Sequence, residues 1–203
     1  MNNYICINDV KTELTPEQVS RIRDAVGIGR HKLTEIEVGG VCRIGDHELI
    51  VLEKSGDTTA VARKDLYRKN VRFGSSNNYN GSNVDKLCVE FADEIAAVVG
   101  RENVVEYTVD LTSDDGLKDY GKIRRRGSSL TAAQYRRYVD VLDQHPVKDW
   151  WWLATAFSTG RHGNTEWVKC VSPSGYVYNY DHCSVIVGVR PFCILKSNIF
   201  VSC

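Results

Sequence analysis

The sequence predicts an α+β protein: a mixed, mainly antiparallel sheet with two flanking helices, plus a small N-terminal strand-helix element over residues 1–36 and one main domain over 37–203. Three observations predict it. Trp150-Trp151-Trp152-Leu153-Ala154-Thr155 must form a strand covered on both sides, because side chains alternate between faces and three consecutive indoles cannot share one. Short β-branched runs divided by Gly/Asp turns over residues 41–63 indicate an antiparallel meander. Two later stretches, 83–99 and 132–142, carry apolar residues at helical spacing behind polar capping residues.

In chain order, Tyr4 to Ile7 alternates as a short strand, and Thr15-Pro16-Glu17-Gln18 is a helix start that satisfies orphan amide donors through a Thr cap, Pro at the first position and Gln at the third. That helix runs to about Val26. Strands follow at Val41 to Ile44, Glu48 to Glu53 and Thr58 to Arg63. Residues 74–83 (GSSNNYNGSN) have almost no apolar anchor and read as a solvated surface loop. Ser82 or Asn83 caps the next helix, whose expected buried stripe is Val84, Leu87, Cys88, Phe91, Ile95 and Val98, closed by Gly100. Val104 to Leu111 is extended, and Ser113-Asp114-Asp115-Gly116 is a turn whose two carboxylates project apart. Thr131 opens the third helix through a capping box with Gln134, and Tyr135, Tyr138, Val139 and Leu142 form its buried side. After the tryptophan strand comes a loop over 157–167. A hairpin follows, pairing Val168 to Val171 with the alternating Tyr176, Tyr178 and Tyr180, and then an apolar run from Gly188 to Leu195 in which Pro191 marks a strand end, an edge or a bulge.

Twenty-six basic and 26 acidic residues give a formal net charge of zero, which argues against a large one-signed field for nucleic acid or an anionic membrane. No apolar run approaches the roughly 18 residues of a membrane span, and Met1-Asn2-Asn3 lacks the character of a signal peptide, so a cytoplasmic location, in a bacterial host cell, is expected. The seven cysteines are an odd set without metal-ligand spacing and read as buried packing thiols. No cofactor and no metal site is expected.

The candidate site residues are surface-type recognition residues. Phe157, Arg161, His162, Asn164 and Trp167 on one loop, with Tyr176, Tyr178, Tyr180 and His182 on the hairpin, are the types that anchor interfaces when a rigid sheet presents them. Arg124, Arg125 and Arg126 are candidate phosphate contacts within a short basic cluster whose plainer reading is a solvated connector. A Cys/His catalytic arrangement would draw on Cys170, Cys183 or Cys193 with His162 or His182, but spacing alone does not unite them.

Gly40 with Ile44 and Ile50-Val51-Leu52-Glu53, then Trp151-Trp152-Leu153, then Gly188-Val189-Arg190-Pro191, together resemble the pattern of a domain-of-unknown-function family common in prophages and gut bacteria. The resemblance spans about Val38 to Ser202. The C-terminal half is similar to the C-type-lectin-like fold, which the formylglycine-generating enzymes share with retroelement-diversified binding proteins. It implies a binding face at residues 157–167 and 176–184 and a structural tie at Arg190. The calcium-and-sugar motifs Glu-Pro-Asn and Trp-Asn-Asp of classical lectins are absent from the sequence, and the paired active-site cysteines of the enzymes have no counterpart at a matching position. The reading that follows is a non-enzymatic phage-type recognition protein for a protein or other macromolecule, with nucleic acid reached only through the local basic patch and no membrane partner. Two alternatives stand beside it: a counter-defence inhibitor of a host nuclease, and a cysteine-dependent enzyme related to the formylglycine-generating enzymes.

Overall fold

The computed structural model describes residues 4–7, 10–26 and 30–202; the side chains of residues 4–7, 20, 23–26 and 179–181 lie outside this description. Strands β1 (Tyr4–Ile7) and β2 (Val10–Glu13) form an antiparallel pair ahead of α1 (Pro16–Val26). The expected capping box is present, with Gln18 N–H donating to Thr15 Oγ1 and Thr15 N–H to Gln18 Oε1. The chain continues through β3 (Arg30–Lys32), β4 (Val41–Ile44), β5 (His47–Ser55), β6 (Thr58–Arg63) and β7 (Arg68–Arg72) to α2 (Asn83–Val99). Then come β8 (Val104–Val105), β9 (Tyr107–Asp110), β10 (Lys122–Arg125), β11 (Gly127–Ser129) and α3 (Ala132–Leu142). The last third is β12 (Trp151–Ala156), β13 (Trp167–Val171), β14 (Val177–His182), β15 (Ile186–Val189), β16 (Pro191–Lys196) and β17 (Phe200–Ser202).

The protein is thus mixed α+β with mainly antiparallel strands. Among the described residues, the larger sheet has eight strands in the order β11-β16-β6-β5-β4-β17-β3, with β8 also on β16; the smaller has five, β14-β13-β12-β15-β7. The meander read at 41–63 is the run β4-β5-β6. β3 reaches the far edge of the large sheet by pairing with β17, and Leu33 just after it is fully buried in the main core.

Alternation along β5 explains why the large sheet is covered twice. Leu49 and Val51 pack with Phe91 and Ile95 of α2, while Ile50 and Leu52 pack with Tyr135, Tyr138 and Leu142 of α3. β12 repeats the pattern. Trp151 joins the α3 side, its ring edge-on to Tyr135 at 5.7 Å, and Trp152 joins a third cluster edge-on to Phe73 at 5.5 Å. Both indoles are essentially inaccessible. Between the sheets the chain switches at Arg190, the residue after β15 and before Pro191, which opens β16 as a strand end.

Both later helices start as their sequences dictate: Ser82 Oγ accepts from Asp85 N–H, and Thr131 and Gln134 form a reciprocal capping box. The buried face of α2 differs from the expected stripe. Val98 is 58% exposed, and Asp85, Ala92 and Ala96 are buried instead. The cause is a close approach: a Cβ on Gly127 would sit 2.4 Å from the Cys88 carbonyl oxygen and 2.7 Å from Ala92 Cβ, so β11 presses on the small-residue side of the helix and turns that side inward. The solvated loop expected at 74–83 is a second correction, because Asn77 and Tyr79 are fully buried. Tyr79 Oη accepts from Ser129 N–H at 2.9 Å, and the aromatic ring fills space beside Phe73. β7 and β11 are also strands that the sequence reading did not anticipate.

Under α2 lies a polar group centred on a buried histidine. His47, 8% exposed, donates from Nε2 to Glu94 at 3.0 Å and accepts at Nδ1 from Arg63, so the neutral imidazole fits both neighbours. Burial and the facing guanidinium lower its pKa below the ordinary value, outweighing Glu94. The unfolded chain therefore takes up this proton first, and stability is lost as pH falls below about 6.5. Thermal unfolding at pH 7 and pH 5 is expected to show a drop in wild type that His47→Gln, which keeps one donor and one acceptor, flattens.

Candidate recognition site

The loop after β12 is held from three directions. Phe157 N–H donates to Trp167 O at 2.9 Å to close it, and a single turn at Gly160–His162 is capped by Thr159 and ended by Gly163, whose φ of 70° is the left-handed value glycine adopts without strain. Asn77 reaches in from the 74–83 segment. Its Nδ2 donates to Ser158 O at 3.0 Å and Trp167 O at 3.1 Å, its Oδ1 accepts from Tyr120 Oη at 2.5 Å, and its backbone N–H donates to Thr165 O at 2.7 Å. The 113–120 turn supplies the third set of contacts. Asp115 accepts from Ser113 and Ser158 hydroxyls, both at 2.5 Å, and from His162 Nδ1 at 2.9 Å; Asp119 accepts from Thr159 Oγ1 and pairs with Arg161.

Asp114 and Asp115 do project apart, each to its own partners. Asp114 meets Lys169 Nζ at 2.6 Å and Arg136 at 3.3 Å. Lys169 is 2% exposed, and the Asp114 carboxylate is the partner that stands against its buried amine. The hydrogen bonds to Asp115, led by those from Ser113 and Ser158, hold its carboxyl well below the usual carboxylate range. This contribution is present above pH about 4 and is lost as pH falls through the depressed native value. Urea midpoints at pH 5 and pH 3 are expected to differ more in wild type than in Asp115→Asn.

Of the expected contact residues, Arg161 and His162 are exposed and Phe157, Asn164, Trp167 and His182 are partly buried. Asn164 is spent internally, its Oδ1 accepting from Trp167 N–H at 3.1 Å. Trp167 stands edge-on to His182 at 5.9 Å, and His182 Nε2 meets Glu166 at 3.2 Å, so the loop and the hairpin do come together there. Tyr176 and Tyr178 face elsewhere: they are 69% and 49% exposed, and the Tyr178 ring lies edge-on to Trp150 at 4.9 Å. The side chain of Tyr180 lies outside the described residues. β14, which carries Tyr178, is the end strand of its sheet, so its outer backbone edge has no neighbour among the described strands.

The basic cluster is a strand, not the connector its polarity suggested. β10 pairs with β9, and Lys122, Arg124, Arg125 and Arg126 meet Asp110, Glu106, Asp85 and Glu106 respectively. Cys42, Cys88, Cys170, Cys183 and Cys193 are all buried, and burial pushes the Cys88, Cys183 and Cys193 thiols up, opposite to what a nucleophile needs. Asp115 orients His162 through Nδ1 as a base would be oriented, yet the Ser158 hydroxyl donates to the same carboxylate oxygen and not to the imidazole.

The residues that organise this site and were not singled out from sequence are Asn77, Tyr120, Asp119 and Lys169. One signal for the first was available: residues 74–83 contain no charged residue at all, which suits a buried hydrogen-bonding segment better than a solvated one. No helix among the described residues is long and apolar enough to cross a membrane, and no group of three or more His, Cys, Asp or Glu among them is placed to hold a metal ion. Searches of protein-family models, curated proteins and solved structures find no match to this chain.

Proposed function

We propose that the chain is a non-enzymatic recognition protein of phage type, with a C-type-lectin-like C-terminal half, that docks a protein partner along β14. The single observation that carries this reading is the pair Tyr176 and Tyr178, two large aromatic side chains 69% and 49% exposed at the end strand of a sheet whose central strand is wholly buried. Tyrosine presents a large amphipathic surface with few rotatable bonds, so little entropy is lost on contact. The open edge of β14 adds backbone donors and acceptors that an incoming strand can pair with. Two of the motifs behind the prophage-family resemblance, Trp151-Trp152-Leu153 and Gly188-Val189-Arg190-Pro191, fall on the buried strand β12 and on the β15–β16 junction, which suits a scaffold role and leaves the hairpin for contact.

The 157–167 loop adjoins the other end of β14, where Trp167 pairs with His182, and its exposed Arg161 and His162 extend the proposed surface along that strand. A photo-crosslinking residue at position 176, used in the native host, tests the reading. The expected result is one dominant crosslinked protein, lost in Tyr178→Ser, with the melting temperature of Tyr176→Ser/Tyr178→Ser within about 3 °C of wild type. A nuclease as that crosslinked species would assign the protein to counter-defence. A double variant that unfolds much earlier, or capture through position 176 unchanged by Tyr178→Ser, overturns the proposal.

A further inference from the structure

We infer that the cleft between α2 and β10 is a separate ligand site for a small phosphorylated molecule, a phosphate ester or diphosphate carried on an apolar group of mononucleotide size. The cleft has a volume of about 520 Å³, inside the range of small-molecule pockets. It lies on different elements from the aromatic edge of β14 and does not depend on it.

Its charge is unbalanced. Lys86, Arg101, Arg124, Arg125 and Arg126 line it against three carboxylates, a surplus of two positive charges. Asp85 is fully engaged by Arg125 through contacts of 2.8 and 2.7 Å, and Asp93 pairs with Arg101 at 3.3 Å. That leaves Glu106 to serve two guanidinium groups: Arg124 at 3.2 Å and Arg126 at 3.6 Å, the second beyond hydrogen-bond reach. Arg126 Nε is buried without an acceptor, and among the described residues Lys86 forms no ion pair. A buried donor left unbonded is costly, so this guanidinium is the least satisfied cation of the cleft. The Arg126 side chain as a whole is 32% exposed, so an oxyanion in the cleft brings negative charge to its accessible part without displacing the Arg125–Asp85 pair.

The remaining wall is apolar. Val89, on the outer face of α2, is 37% exposed, and the floor is formed where Gly127 runs against the helix at Ala92. An anion bearing an apolar or planar group covers Val89 as it neutralises the arginines, whereas an extended polyanion would meet Asp93 and Glu106 within the same cleft. The overall balance of 26 basic and 26 acidic residues also offers no wider field for nucleic acid.

Titration calorimetry at low ionic strength with pyrophosphate, adenosine monophosphate and adenosine tests this. Saturable binding of both phosphate probes is expected, tighter for the monophosphate than for pyrophosphate and absent for adenosine, and weakened by added salt. Arg126→Gln and Lys86→Met should each weaken binding about tenfold, while Glu106→Gln, which removes the competing carboxylate, should tighten it. The opposite sign of the Glu106 variant keeps the test decisive if an arginine variant folds poorly. Absence of saturable binding for either phosphate probe up to about 10 mM, or affinities unchanged in all three variants, overturns the inference.

Discussion

Trp152→Ala is expected to lower unfolding free energy by about 3–5 kcal/mol, among the largest effects of any single truncation in this chain. The indole is 0% exposed, stands edge-on to Phe73, and is surrounded by Val168, Cys170 and Val189, so its removal opens a cavity that neighbouring strands cannot close. It also donates from Nε1 to Val71 O at 2.8 Å, tying β12 to β7 across β15, and that carbonyl would lose its partner. Trp152→Phe separates the two contributions. It keeps most of the buried ring and loses the donor, and should cost about 1–2 kcal/mol beyond the lost volume. Urea unfolding followed by far-ultraviolet circular dichroism reads both.

Arg190→Met should be nearly as damaging, at about 3–5 kcal/mol, although it replaces a charge with an apolar chain of similar length. Arg190 is 2% exposed and donates to three backbone carbonyls, Arg63 O at 2.9 Å, Lys64 O at 3.0 Å and His145 O at 3.1 Å. Its guanidinium also lies 5.4 Å from the Trp151 ring centroid. Burial lowers its pKa to about 10, so it remains protonated at neutral pH and all its donors stay available. A methionine fills the volume and leaves three carbonyls unbonded. Arg190→Lys should rescue little, because a single ammonium cannot span a planar fork of acceptors. The measurement is the urea midpoint of the two variants against wild type, with the lysine variant expected near the methionine one.

Much of the architecture was legible because it rests on local rules. Capping residues fixed all three helix starts, β-branched runs between Gly/Asp turns fixed the β4-β5-β6 meander, and three indoles in a row required burial on both faces. Failures came where a distant contact overruled local composition. Val98 lost its place in the core because Gly127, far later in the chain, lets a strand approach the other side of α2. Asn77 and Tyr79 look solvated until the 157–167 loop and Ser129 supply their hydrogen-bond partners. The candidate contact residues divide in the same way. Asn164 is consumed by its own loop, while Tyr176 and Tyr178 lie open, and no pattern in the sequence separates those two outcomes, since the first depends on how the loop closes and the second on which strand ends the sheet.

Amide hydrogen exchange of the free and partner-bound protein reads out whether the β14 edge is the docking surface. Bound protein should gain protection across residues 174–182, with β12 unchanged because its amides are already shielded by packing on both faces. Protection gained elsewhere, with the 174–182 amides exchanging as in the free chain, would contradict it.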